Sequence, residues 1–171
     1  MGLFRSKPPS PETHAALDEA VGKALPDADD ATRSIVGSCA GLLATVAYAD
    51  RQWSEAEKQR VTELLDTVQG LEPQGRAAIV QVLQEHVVEL ATVQSSRFAR
   101  NLKVHAERDL RRHVLDMLVD VAAADGDLSN DEVKLLRQLT AAMGLEQDDY
   151  NEAQAAHQEK LSVLKKPPQG S

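Results

Sequence analysis

The sequence predicts an all-α fold, a single domain of about seven helices built from two pseudo-repeated helical units. Three observations predict it. Residues 47–57, Ala-Tyr-Ala-Asp-Arg-Gln-Trp-Ser-Glu-Ala-Glu, recur as Ala-Ala-Ala-Asp-Gly-Asp-Leu-Ser-Asn-Asp-Glu at 122–132, a shift of 75 positions that reads as two copies of one supersecondary unit. Prolines stand at 8, 9, 11, 26, 73, 167 and 168, so the stretch from 27 to 166 is interrupted once, as suits a helical domain with frayed ends. The chain is rich in Ala, Leu, Glu, Gln and Arg, with Val spread singly, a composition that favours helix.

The 171 residues, 42% of them hydrophobic, are enough for one proper core. With two Phe, two Tyr and one Trp, that core must be made of Leu, Val and Ala. Residues 1–11 read as a flexible tail. A first helix over 12–25 carries Leu17, Ala20, Val21 and Leu25 on one side and ends near Pro26. Asp27, Asp29 and Asp30 offer caps for a second helix, 31–49, with Ile35, Cys39, Leu42, Leu43 and Val46 on its apolar face. A third begins after Ser54 with a stripe of Val61, Leu64, Leu65 and Val68, and stops at Gly70. Pro73 suits the first turn of a fourth, 73–93, whose stripe is Ile79, Leu83, Val87 and Leu90. Residues 94–103, polar and basic, read as a connection or as the lead-in to the next helix.

That next helix, 104–124, is expected to bury Ala106, Leu110, Val114, Met117 and Val121. Another starts at Ser129 with Val133, Leu136, Leu139 and Met143, and Gly144 stops it as Gly70 stops its counterpart. A last, polar helix over 147–163 precedes a flexible tail, 165–171. The helical domain therefore spans 12–164, with one repeat at about 31–93 and the other at about 104–163. Strand alternation and a Gly-rich phosphate loop are both missing from the sequence.

A formal charge of −8 argues against nucleic-acid binding, which needs a dominant basic surface. Cys39 is the sole cysteine, so an internal disulfide is excluded and a reducing, cytoplasmic compartment is expected. In its apolar surroundings it reads as an inert buried thiol. No run approaches the roughly 18–20 apolar residues of a spanning helix. Met1-Gly-Leu-Phe-Arg-Ser6 satisfies the loose N-myristoylation pattern, but the pattern is common by chance and a flexible tail running into Pro8, Pro9 and Pro11 is the preferred reading. Nothing resembles a nucleophile elbow or a Cys/His pair, and catalysis is not expected.

The repeated element carries the functional argument. Ser54-x-x-Glu57 and Ser129-x-x-Glu132 are capping boxes, in which Ser accepts from the amide three residues on and Glu reaches back. Gly126 can supply a left-handed helix terminus. Structure alone therefore explains much of the motif. The acids invite a second reading, because Asp50 and Asp125 sit at helix C-termini, where a carboxylate is unfavourable unless a cation or donors offset it. An Asp seven residues before a Glu across a tight turn lets both face one volume suited to a hard divalent cation. An EF-hand is excluded, since its first and third ligand positions would fall on Val121 and Ala123, or on Val46 and Tyr48.

Ala-x-Ala-Asp-Gly-x-Leu-Ser-x-x-Glu after an apolar helix, present twice in a helical chain of this size, resembles the tellurite-resistance protein B (TerB) family and a related domain of membrane-anchored DnaJ-like co-chaperones. The resemblance covers about residues 30–160. It implies a seven-helix, pseudo-duplicated fold and a role in bacterial tellurite, metal or envelope stress within membrane-associated protein complexes, hence a location at or near the inner membrane. It also implies an acidic cation site, carried here by Asp50, Glu57, Asp125 and Glu132, with Asp127 as an extra candidate. Calcium, magnesium, manganese and zinc are the candidate ions. Arg51 and Gln52 depart from the pattern, because the second copy has Gly126 and Asp127 there.

Two further constellations stand out. His105, Asp109, His113, Asp116 and Asp120 form a ridge at helical spacing that could offer zinc two or three ligands, or simply flank the core. Arg97, Arg100, Lys103, Arg108, Arg111 and Arg112 make a basic segment that could dock an acidic partner or lipid heads, or pair with the protein's own acids.

Overall fold

A computed structural model describes residues 11–165, with side chains placed between 15 and 159 except at 93 and 94. The myristoylation pattern and the two expected tails lie outside the described residues, except that Pro11 begins the first helix and Lys165 ends the last. Eight α-helices follow one another: α1 (Pro11–Ala24), α2 (Asp30–Ala47), α3 (Glu55–Asp66), α4 (Pro73–Glu89), α5 (Ser95–His105), α6 (Arg108–Ala122), α7 (Asn130–Ala142) and α8 (Gln147–Lys165). No strand occurs among the described residues, so the fold is all-α as the composition predicts.

The central element is α2. Asp29 caps it, accepting from the Thr32 amide at 2.7 Å, and almost every residue from Val36 to Ala47 is buried. A helix apolar all round must be enclosed by others, and α1, α4, α5 and α6 all pack on it. Small residues make this possible. At Gly41 a Cβ would stand 2.4 Å from the Phe98 ring, so glycine is what lets α5 lie against α2.

The segment read from sequence as a connection or as the lead-in to the next helix, 94–103, falls from its second residue on in a helix of its own, α5. It continues α4 through a π-helical turn, Leu90–Gln94, and buries Phe98, Ala99 and Leu102 while its cations face solvent. The helix expected from 104 onward instead begins at Arg108, because Glu107 has extended backbone (ψ 157°) and separates α5 from α6. This break turns the face of α6. Leu110, expected inside, is 38% exposed, and Met117 is only partly buried, whereas Leu115, Leu118 and Val119 are fully enclosed.

Part of the basic segment is internal wiring. Arg111 donates to the carbonyls of Ala106 at 3.1 Å and Met143 at 2.6 Å, tying the start of α6 to the end of α7. Arg108 and Arg112 reach Asp149 on α8. Arg97, Arg100 and Lys103 remain exposed on α5. Cys39 sits among apolar neighbours, and burial pushes its thiol up to about 12, as expected of an inert cysteine.

Candidate cation-binding site

The two copies of the repeated element fold alike, bond for bond. In the first, Tyr48 N donates to Ala44 O, Ala49 N to Val46 O and Arg51 N to Tyr48 O; in the second, Ala123 N donates to Val119 O, Ala124 N to Val121 O and Gly126 N to Ala123 O. Each donor and acceptor is displaced by the same 75 residues. Both turns need a left-handed residue. Gly126 (φ 139°) adopts it readily, but Arg51 (φ 65°) holds it at a cost of about 1–2 kcal/mol.

Each turn delivers a capping box. Ser54 Oγ accepts from Glu57 N at 3.1 Å while Ser54 N donates to Glu57 Oε2 at 2.9 Å. Ser129 and Glu132 repeat this at 3.2 and 2.7 Å. The boxes bend both glutamates inward, and Glu57 and Glu132 are 0% and 2% exposed. In each repeat the second helix packs against the first helix of the other, α3 on α6 and α7 on α2. The tertiary consequence is that the starts of α3 and α7 meet. Glu57, Asp125 and Glu132 each offer a carboxylate oxygen lying within 4.8 Å of the other two.

Burial raises both glutamates above the ordinary carboxylate range, and the negative charges of Asp125 and Asp50 push the same way, against the opposing hydrogen bonds from Ser54 and Ser129. Asp50 therefore belongs electrostatically to the group. Its Oδ1 also accepts from Gln52 N at 3.0 Å, which fixes the first turn. Asp127, exposed beyond the Gly126 turn, is not one of the three grouped acids. Arg51, next to Asp50 in sequence, lines a cleft between α2 and α7 and makes no ion pair with Asp50 among the described residues.

Four buried side-chain atoms among the described residues lack a hydrogen-bond partner, Trp53 Nε1, Glu57 Oε1, Tyr150 Oη and His157 Nε2, and one of them belongs to the acidic group. Glu57 Oε2 serves the capping box, but Glu57 Oε1 is buried without a hydrogen-bond partner among the described residues. A buried carboxylate oxygen without a donor carries a desolvation cost that a bound cation or proton would remove. Three carboxylates without nitrogen or sulfur ligands form an all-oxygen set, which fits hard divalent cations better than soft ones.

The histidine ridge does not assemble. His105 lies on α5 and His113 borders an apolar groove facing α2 and α3. Asp116 pairs with Arg112, and Asp120 is taken by two partners that the sequence reading missed. Its Oδ1 lies 3.0 Å from His157 Nδ1 and its Oδ2 accepts from Arg60 Nη2 at 3.0 Å, so α3, α6 and α8 are clasped around one carboxylate. The 60-residue separation of Arg60 from Asp120 gives no local signal in the sequence.

No curated protein and no solved structure matches the chain. A family model described as tellurite resistance protein TerB matches residues 37–155, which include both turns, both capping boxes and the three grouped acids. The chain belongs to the TerB family.

Proposed function

We infer that this TerB-family protein is a non-enzymatic, cation-responsive helical module serving a bacterial tellurite, metal or envelope stress response, working through protein partners at or near the membrane. The observation that carries the cation reading is Glu57 Oε1, buried and unbonded beside Asp125 and Glu132. Two turns from distant parts of the chain form the site, so an ion there would tie the two repeats together. Binding to the folded state alone would then register as stability. No helix among the described residues is long and apolar enough to cross a membrane.

A second reading keeps the module as an interaction scaffold in which the acids only cap helices. The two completed capping boxes favour it, since a helix N-terminus is itself hospitable to an anion. That account leaves Glu57 Oε1 and Asp125 without a role.

Terbium, a luminescent all-oxygen cation, separates the two. Trp53, the only tryptophan, immediately precedes the first capping box and can sensitise a bound ion. The cation reading expects saturable terbium emission displaced by calcium or manganese, and its loss in Asp125→Asn with the fold intact. Equal emission from wild type and Asp125→Asn, or none from either, leaves the scaffold reading.

A further inference from the structure

The 75-residue register that relates the two turns also relates two interhelical positions, one bridged by a hydrogen-bonded carboxylate and one open as a cleft. It pairs Asp120 with Thr45, His157 with Val82 and Arg60 with Leu135. Asp120 and His157 of the second repeat and Arg60 of the first form the clasp, where Arg60 and His157 close on a carboxylate that the fold itself supplies. None of the three counterparts, Thr45 and Val82 in the first repeat and Leu135 in the second, is charged. A cleft of about 550 Å³ opens there between α2, the π-helical turn and α7, with Thr45 and Leu135 in its walls. Val88 at its edge is 56% exposed.

The rim differs in the complementary sense. Arg51 and Lys134 border the open cleft, and their counterparts 75 residues away, Gly126 and Gln59, are uncharged. Neither cation makes an ion pair among the described residues. Asp131 is also on the rim, three residues before Lys134, but does not pair with it. Thus the cleft that lacks the clasp's carboxylate has two cations outside any ion pair, beside the single acid Asp131, over partly apolar walls, in a chain of net charge −8. Arginine in this position also bears the left-handed backbone that glycine would adopt without strain.

We propose that this cleft binds a carboxylate carried on a short apolar group, the guest taking the place that Asp120 fills in the clasp. The guanidinium of Arg51 offers a planar fork to a carboxylate and Lys134 adds a point charge. Val88, Ala91 and Leu135 receive the apolar part. A free aliphatic acid and the C-terminal residue of a peptide both present this chemistry.

The test is an amide-shift titration of the isotope-labelled full chain in chelator, so that the acidic site is empty and its own reading is not at stake. Four probes are used: isovalerate, a short acetylated peptide ending in leucine with a free carboxylate, the same peptide as its C-terminal amide, and inorganic phosphate. The expected result is saturable shifts at Ala49, Ala91 and Leu135 with one or both carboxylates and none with the amide. The tighter of the two carboxylates identifies the source. Arg51→Gly, which installs the second half's residue and relieves the turn, should fold at least as stably and bind tenfold or more weakly; Lys134→Gln should bind a few-fold more weakly. Four results would each overturn the proposal: equal binding of the amide, equal binding of phosphate, unchanged affinity in Arg51→Gly, or no saturable shift from either carboxylate.

Discussion

Replacing Glu57 by Gln separates the two duties of that side chain, capping α3 and adding charge to the acidic group. Glutamine keeps the length and an oxygen able to accept the Ser54 amide, as Oε2 does at 2.9 Å. The cap survives with a neutral acceptor, and since hydrogen bonds to charged groups are worth about 1.5–3 kcal/mol against about 0.5–1.5 for neutral ones, the loss is about 1 kcal/mol. Against this, the substitution no longer holds an anion at a fully buried position beside Asp125 and Asp50. Burial first, and those carboxylates next, raise Glu57 above 4.5, its ordinary value. A carboxyl raised by folding stabilises the protein below its unfolded pKa, and that contribution is lost as pH climbs through the folded-state value. Glu132 is raised for the same reasons. In chelator, therefore, the wild type should lose stability from about pH 4.5 upward, and Glu57→Gln should lose less. Each tenfold difference in proton affinity between folded and unfolded chains is worth about 1.4 kcal/mol, a contribution that opposes the weakened cap. The variant should thus match or exceed the wild type at pH 8 without metal. A divalent cation at a hundred times its Kd should reverse the order, adding about 2.7 kcal/mol to the wild type. For a chain of this size that is roughly 5–10 °C in Tm. Urea unfolding followed by Trp53 emission and far-ultraviolet circular dichroism, with and without chelator, measures both arms. If Glu57→Gln in chelator at pH 8 is less stable than wild type by clearly more than 1 kcal/mol, the reasoning fails. The carboxylate would then be net stabilising through its helix terminus, with no call for a cation.

Two other substitutions probe the frame around the site. Gly41→Ala gains about 1 kcal/mol of helix propensity but drives a Cβ to within 2.4 Å of the Phe98 ring, and overpacking of that kind costs about 1–3 kcal/mol. A net loss is expected in the urea midpoint, recovered in part by adding Phe98→Leu, and a stabilised Gly41→Ala would contradict the close α2–α5 approach. Asp120→Asn removes the charge shared by Arg60 and His157 and should cost about 1.5–3 kcal/mol, whereas an unchanged midpoint would show the clasp to be ornamental to stability.

Much of the site was legible because its parts are local. A capping box occupies four consecutive residues, and a turn repeated 75 residues later announces itself by identity at Asp50/Asp125, Ser54/Ser129 and Glu57/Glu132. Helix α5 was misread for an equally local reason. Its seven polar residues outnumber its four apolar ones, so Arg97, Arg100 and Lys103 made it look like a linker, although Phe98, Ala99 and Leu102 lie on one buried face. The start of α6 was missed because Glu107 ends one helix and begins the next without the proline or glycine that usually marks such a break.

The sequence by itself determined the helical class, the duplicated turn, the capping boxes and the membership of Glu57 and Glu132 in a pair, because each depends on residues within about one or two helical turns. Only the tertiary structure decided that α3 packs on α6 while α7 packs on α2, which brings Glu57 of one repeat to Asp125 and Glu132 of the other. It also decided that Glu57 Oε1 is buried without a donor, and that one interhelical position is bridged by Arg60, Asp120 and His157 while its counterpart stays open. Those outcomes follow from which faces of distant helices meet. Spacing along the chain sets the face a residue occupies, but only the packed core sets what that face finds opposite it.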